Sequence, residues 1–371
     1  MKTSARRVCQ LLGLLLLTSL SLPLLTFAQD DSVDQQEAAQ PSKPMYTVLP
    51  GKVRTDVPLP PAPNLPTWNG SFTYGGHNYT YNMVGTSPSS NSSTTITTYI
   101  IPVKIVITSG GSQYTYDPQH VLSNGKTVVQ NTTSSPLFQN LTYVQGGVNV
   151  GTTQYEDAYQ RANFWGTVQN AQSYHVLLSP TVLAEQTLSP SSRYGKRGSE
   201  FGVTAALVDI NWFDAQLPSI MSRLGITPNT LPIFLLYDTY LTQNGQCCIG
   251  GYHSSEGNIG NLQSYAEATY VDHAGAFSQD VSALSHELGE WMDDPLTVNY
   301  NGNNTPCGIL ENGDPLEGNS NYGGYHYTLN GFQYNLQDLV TLPYFGAPAN
   351  TSVNDWFTFQ GESLRVCQNG S

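Results

Sequence analysis

Runs of β-branched and aromatic residues recur along the chain, separated by segments with helical spacing, and this alternation restricts it to a mixed α/β architecture built on a sheet. TTITTYIIPVKIVIT (94–108) predicts a strand, which Pro102 places at an edge or a bulge because it lacks an N–H. Tyr155, Ala158, Tyr159, Ala162 and Trp165 fall at helical spacing over 155–168. Strands are expected at 173–179, 203–211 and 232–238, with a helix after a proposed N-cap at Asp214, Pro218 in its first turn and Gly225 at its end. QSYAEATYV (263–271) alternates like a half-exposed strand, and the Asn/Gly/Tyr-rich part after Pro295 reads mostly as loop.

The first 28 residues join Lys2, Arg6 and Arg7 to an apolar stretch from Leu11 to Leu25 and small residues near Ala28, the pattern of a secretory signal peptide. No later apolar run approaches the roughly 18 residues of a membrane span. Residues 29–66 are polar and then proline-dense, a disordered linker or pro-region, and 67–371 are expected to form one domain. The net charge of -13 argues against nucleic acid as a partner. Charged residues make up only 11% of the chain, against about 25% in a typical globular protein, which suits a secreted, extracellular or periplasmic surface of neutral polar groups. Once Cys9 leaves with the signal, Cys247, Cys248, Cys307 and Cys367 remain, enough for two disulfides. Adjacent cysteines bridge each other only with strain, so Cys247 and Cys248 are expected to reach separately to Cys307 and Cys367, in either order.

SALSHELGEWMDDP (282–295) carries the chemistry. With an N-cap at Ser278, Val281, Leu284, Leu288, Trp291 and Met292 form a core-facing stripe, while His286, Glu290 and Asp293 share the other face. Glu290, Asp293 and Asp294 crowd a helix C-terminus, where the macrodipole disfavours anions by about 0.3–1 kcal/mol each, and no Lys or Arg occurs between Arg223 and Arg365. A solvated acidic face is the alternative; a divalent cation would relieve the repulsion. His286 and Glu290, one turn apart, can bind one ion, leaving Glu287 to take a proton from the attacking water. Downstream, CGILENGDPLEG (307–318) can turn a carboxylate back to the helix through Asn312 and Gly313. Glu311 is the expected third ligand; Asp314, with Asp293 and Asp294, is a further ligand or a partner of His286. His253 and His326, in glycine-rich stretches, are read as surface histidines. Tyr322, Tyr325 and Tyr327 are candidate donors to a developing oxyanion.

His286-Glu287-x-x-Glu290-x-x-x-Asp294-Pro295, with Cys307 and the Leu310–Leu316 stretch downstream, resembles a group of secreted bacterial proteins that look like zincin-type metalloproteases, and more distantly the plant EXORDIUM or phosphate-induced proteins. The resemblance spans about Trp68 to Cys367 and includes CCIGGYHS (247–254). It implies a zincin-like mixed sheet, a metal-binding helix, a loop-rich C-terminal part and an edge strand, 263–271, guiding an extended peptide. Glu290 stands where the second zincin histidine would be; zinc is the first expectation for the ion, and oxygen-rich ligand sets also suit manganese or calcium. The expectation is a secreted metal-dependent hydrolase acting on peptides or proteins, in which the ion activates water and Glu287 is the base. The alternative is a secreted or cell-surface binding protein with a structural metal.

Overall fold

Residues along the central strands alternate between two apolar clusters, so the sheet is buried on both faces. On Ser93–Ser109, Ile96 and Ile100 join one cluster and Ile101, Val103 and Ile105 the other; on Leu231–Tyr237, Ile233 and Leu235 oppose Phe234 and Leu236. The computed structural model describes residues 45–54, 64–258, 260–297, 305–362 and 366–367. Within them the architecture is mixed α/β and dominated by strands, with a twelve-stranded sheet whose main path runs Gln186–Leu188, Ser93–Ser109, Leu231–Tyr237, Asn261–Tyr270, Gln246–Asn258, Thr239–Gln243, Val203–Asp209, Gly195–Glu200. Pairing is parallel from Ser93–Ser109 to Asn261–Tyr270 and antiparallel through Gln246–Asn258 to Thr239–Gln243. The helices Ile210–Asp214 and Leu217–Leu224 pack on one face. On the other lie the helices Tyr155–Asn163 and Ser282–Asp293 and the hairpin Gly324–Leu329/Phe332–Gln337. Among the described residues no helix is long and apolar enough to cross a membrane.

Several local expectations are corrected. Ser93–Ser109 is interior despite Pro102, because Pro102 sits where one neighbour, His175–Val182, stops pairing at Ile100 and the next, Gln186–Leu188, begins at Val103; its missing N–H faces that gap. Residues 263–271 do not form an edge: Asn261–Tyr270 pairs on both sides and is buried on both faces. Some of its polar side chains find partners inside, as where Trp291 Nε1 donates to Ser264 Oγ at 2.9 Å and Gln263 Nε2 donates to the Thr230 carbonyl at 2.9 Å, while the buried Glu267 carboxylate has none among the described residues. The helix Leu217–Leu224 starts from Gln216, without a side-chain cap, rather than from Asp214; Asp209 caps the preceding short helix Ile210–Asp214, and Asp214 accepts from Tyr252 at 3.1 Å and Tyr265 at 2.6 Å and pairs with Lys52.

The cysteine pairing also differs. Cys247 bridges Cys248, and Cys307 bridges Cys367; the cis peptide between the adjacent residues brings their Cα atoms to 3.1 Å, within reach of each other. Residues 1–28, read from the sequence as a signal peptide, lie outside the described residues. Of the expected tether, Met45–Val48 and Lys52–Arg54 are strands paired in parallel with Gln246–Asn258. Backbone pairing needs no apolar periodicity, so composition does not reveal it.

Candidate metal centre

The helix Ser282–Asp293 is buried on every side. Its N-cap is Val281, without a side-chain bond, rather than Ser278. The apolar stripe meets the sheet at strands Gln246–Asn258 and Asn261–Tyr270, while the polar stripe turns inward under the C-terminal hairpin and the 305–317 loop. Close approach demands missing side chains. A Cβ on Gly251 would lie 2.8 Å from Glu287 Cγ, one on Gly289 would lie 2.5 Å from Leu339, and one on Gly313 would lie 2.3 Å from His286 Nδ1.

His286 is fully buried and oriented by the hairpin. Its Nδ1 lies 2.7 Å from Gln337 Oε1, and Gln337 Nε2 donates to the Gly313 carbonyl at 2.9 Å, which fixes the amide's orientation. Nδ1 therefore carries a proton in either charge state, and Nε2 is the nitrogen left to face the cluster and, once deprotonated, to bind an ion. That Nε2 has no hydrogen-bond partner, yet stands 2.9 Å from Glu290 Oε1 and 3.6 Å from Asp314 Oδ1. An ion held tetrahedrally at about 2.0–2.2 Å spaces its ligand atoms about 3.4 Å apart, and these distances bracket that value.

A second histidine, excluded as a ligand by the sequence reading, completes the cluster. His253 lies on the buried strand Gln246–Asn258, not on the surface; its Nδ1 is 3.2 Å from Glu287 Oε2 and 3.7 Å from Glu290 Oε2, and its unpartnered Nε2 is 4.0 Å from Glu311 Oε2. Two sets of ligand atoms each converge, His286 with Glu290 and Asp314, and His253 with Glu287 and Glu290. Glu311 is buried in the same cluster with neither oxygen hydrogen-bonded, while Asp314 reaches it from the outside, its side chain 41% exposed.

The loop is hung on the helix by Asn312, whose Nδ2 donates to the Gly289 carbonyl at 3.1 Å, to Asp293 Oδ2 at 3.1 Å and to Tyr159 Oη at 3.0 Å. Asp293, accepting also from Tyr159 and Gln160, belongs to this bracing rather than to either ligand set. Asp294 follows the helix, its N–H donating to the Glu290 carbonyl, and joins neither set. Tyr325 and Tyr327 pack their rings against Tyr155 and Tyr143, respectively. Tyr322 lines a cavity of about 430 Å³ with Ser282, Asn321 and the exposed His326.

Electrostatically the cluster is starved of cations: its described ion pairs are all to the two imidazoles. Two like charges 4 Å apart repel by about 4 kcal/mol at an effective dielectric near 20. In the bare chain protons meet this cost. Burial lifts Glu287 and Glu311 well above the usual carboxylate range, with Glu290 adding to both. Burial alone would lower His286, but Glu290 and Asp314 carry it well above its ordinary value; reciprocally, burial would raise Glu290 and the His286 charge holds it down at about 2. His253 is pushed down by burial to about 4 and stays neutral. Orphaned, fully buried Nε2 atoms and carboxylate oxygens facing one another fit a divalent cation, and the second imidazole makes the set richer in nitrogen than the sequence reading assumed. Compared with family models, curated proteins and solved structures, the chain has no match.

Proposed function

We propose that this protein is a metal-dependent hydrolase, a zincin-like peptidase, with His286, Glu290 and Asp314 or Glu311 holding the ion and Glu287 acting as general base. The observation that carries the reading is the His286 imidazole: Nδ1 is committed to Gln337, and Nε2 is buried without a partner 2.9 Å from a carboxylate oxygen. A bound divalent ion would supply Lewis acidity toward a carbonyl and lower the pKa of water. The chain's own residues then do the rest. Gln337 fixes the His286 tautomer and ring plane. Glu287, one residue along the helix, is oriented by His253 Nδ1 and leaves Oε1 without a protein partner, available to accept a proton from water. Asp314, partly exposed, marks the side from which substrate reaches the cluster.

The test is hydrolysis of a peptide library by the zinc-loaded chain beside Glu287→Gln. Loss of a general base is expected to reduce turnover by about 10²–10⁴-fold, with metal content unchanged; equal turnover removes Glu287 from the mechanism. A second reading, a structural metal in a secreted binding protein, is favoured by the full burial of His253, His286 and Glu287. It expects a chelator to lower the melting temperature while no peptide is cut.

A further inference from the structure

We infer that the backbone edge of Gln246–Asn258 is a docking strip for an extended peptide with an aromatic side chain, and that residues 45–54 occupy it as a built-in competitor. The inference rests on the hydrolase reading for its functional meaning, but not for its geometry. Gln246–Asn258 is paired along one side by Asn261–Tyr270; on the other, Thr239–Gln243 covers it only as far as Ile249. Beyond that point the open edge is taken by the N-terminal segment, Val48 opposite His253 and Lys52 opposite Glu256. A sheet edge that accepts a strand by main-chain pairing takes affinity from the backbone and specificity from side-chain pockets.

One such pocket is filled. The Tyr46 ring lies 3.8 Å, centroid to centroid, from the His286 imidazole and 4.8 Å from Phe277, with its hydroxyl beside Ser278 and Ser282 and its N–H toward the Glu317 carboxylate. Gly250 makes the room: a Cβ there would lie 3.1 Å from the Tyr46 ring and 1.9 Å from Ser278 Oγ. The occupant therefore covers the imidazole that the ion would use.

The segment is held as a competitor is held rather than as a core strand. Among its described side chains only Tyr46 is buried. Its other anchors are the Leu49 N–H to the His253 carbonyl at 3.3 Å, Ser254 and Thr297 hydroxyls to the Leu49 carbonyl, and the half-exposed Lys52 paired with Asp214.

A labelled peptide of sequence MYTVLPGKVR, residues 45–54, is titrated by fluorescence anisotropy into the zinc-loaded full chain and its Tyr46→Ala variant. Relieving the competitor is expected to tighten binding at least about tenfold in Tyr46→Ala, and the same peptide with alanine for tyrosine is expected not to bind. Equal binding by both proteins overturns the inference. Hydrogen exchange on the unaltered full chain keeps the test independent of whether the variant folds: the Leu49 and Gly51 amides are expected to exchange at least about tenfold faster than those of Ala266 and Ala268. Protection equal to that interior strand overturns it. Peptide binding in the absence of any hydrolysis would remove the peptidase reading and leave the docking strip standing; hydrolysis with no gain from Tyr46→Ala would do the reverse.

Discussion

Adding a single methyl group at Gly313 is expected to impair the metal centre without altering a ligand. Gly313 has a φ of -87°, accessible to any residue, so no conformational demand keeps it glycine. The constraint is contact: an alanine Cβ would lie 2.3 Å from His286 Nδ1 and 2.6 Å from Cε1, whereas carbon and nitrogen atoms in contact sit at about 3.5 Å. The ring must retreat by roughly 1 Å, and it cannot do so alone. Gln337 holds both Nδ1 and the Gly313 carbonyl, and the Gly313 N–H donates to Glu290 Oε1 at 3.2 Å. Overpacking of this kind costs about 1–3 kcal/mol of stability, and displacing the partner of a ligating histidine costs about 10–100-fold in metal affinity, equivalent to about 1.4–2.7 kcal/mol. Calorimetric zinc titration of Gly313→Ala beside the unaltered protein measures the second figure and urea unfolding the first. Wild-type affinity in a folded Gly313→Ala protein would refute the assignment of His286 Nε2 as a ligand atom.

Three further outcomes follow from the same geometry. Because burial and the crowding of carboxylates favour the protonated forms of Glu287, Glu311 and His286 in the bare cluster, metal binding must displace those protons; apparent affinity is expected to rise with pH, and a binding heat that does not depend on the buffer's ionisation enthalpy contradicts this. Burial pushes the Asp338 carboxyl up to about 7, so the unfolded chain ionises first: its contribution to stability is complete below about pH 4 and is lost as pH rises through the folded value. Asp338→Asn is expected to flatten that part of the pH–stability profile, and an unchanged slope in urea unfolding speaks against it. The Cys307–Cys367 bridge spans 60 positions, for which chain entropy gives about 4 kcal/mol; Cys367→Ala is expected to lower unfolding stability by about 2–5 kcal/mol, and a change below half a kcal/mol shows the unfolded chain is not constrained by it.

The helix and its downstream acids were legible because one spacing rule, a turn of helix between His286 and Glu290, carries the chemistry locally. His253 was not, since it arrives from a strand 34 positions before Glu287, and periodicity says nothing about such distant approach. Its signal was the pair Gly250–Gly251 ahead of it: glycines inside a strand mark a close approach, here of Tyr46 with Ser278 and of Glu287. Asn330–Gly331, both at positive φ between alternating residues, likewise announces the hairpin that brings Gln337 to His286, in a region read as loop. Alternation misled at residues 263–271 because the polar positions, Gln263, Ser264, Glu267 and Thr269, are as buried as the apolar ones between them. The docking of residues 45–54 leaves no mark in composition, since main-chain pairing is blind to side chains.

The most direct test of the account is metal content. Full-length protein purified without chelator or added metal, measured by mass spectrometry of its elements, is expected to hold about one equivalent of a divalent cation that is lost in His286→Ala. A folded, metal-free protein whose melting temperature does not respond to zinc, manganese or calcium would contradict it.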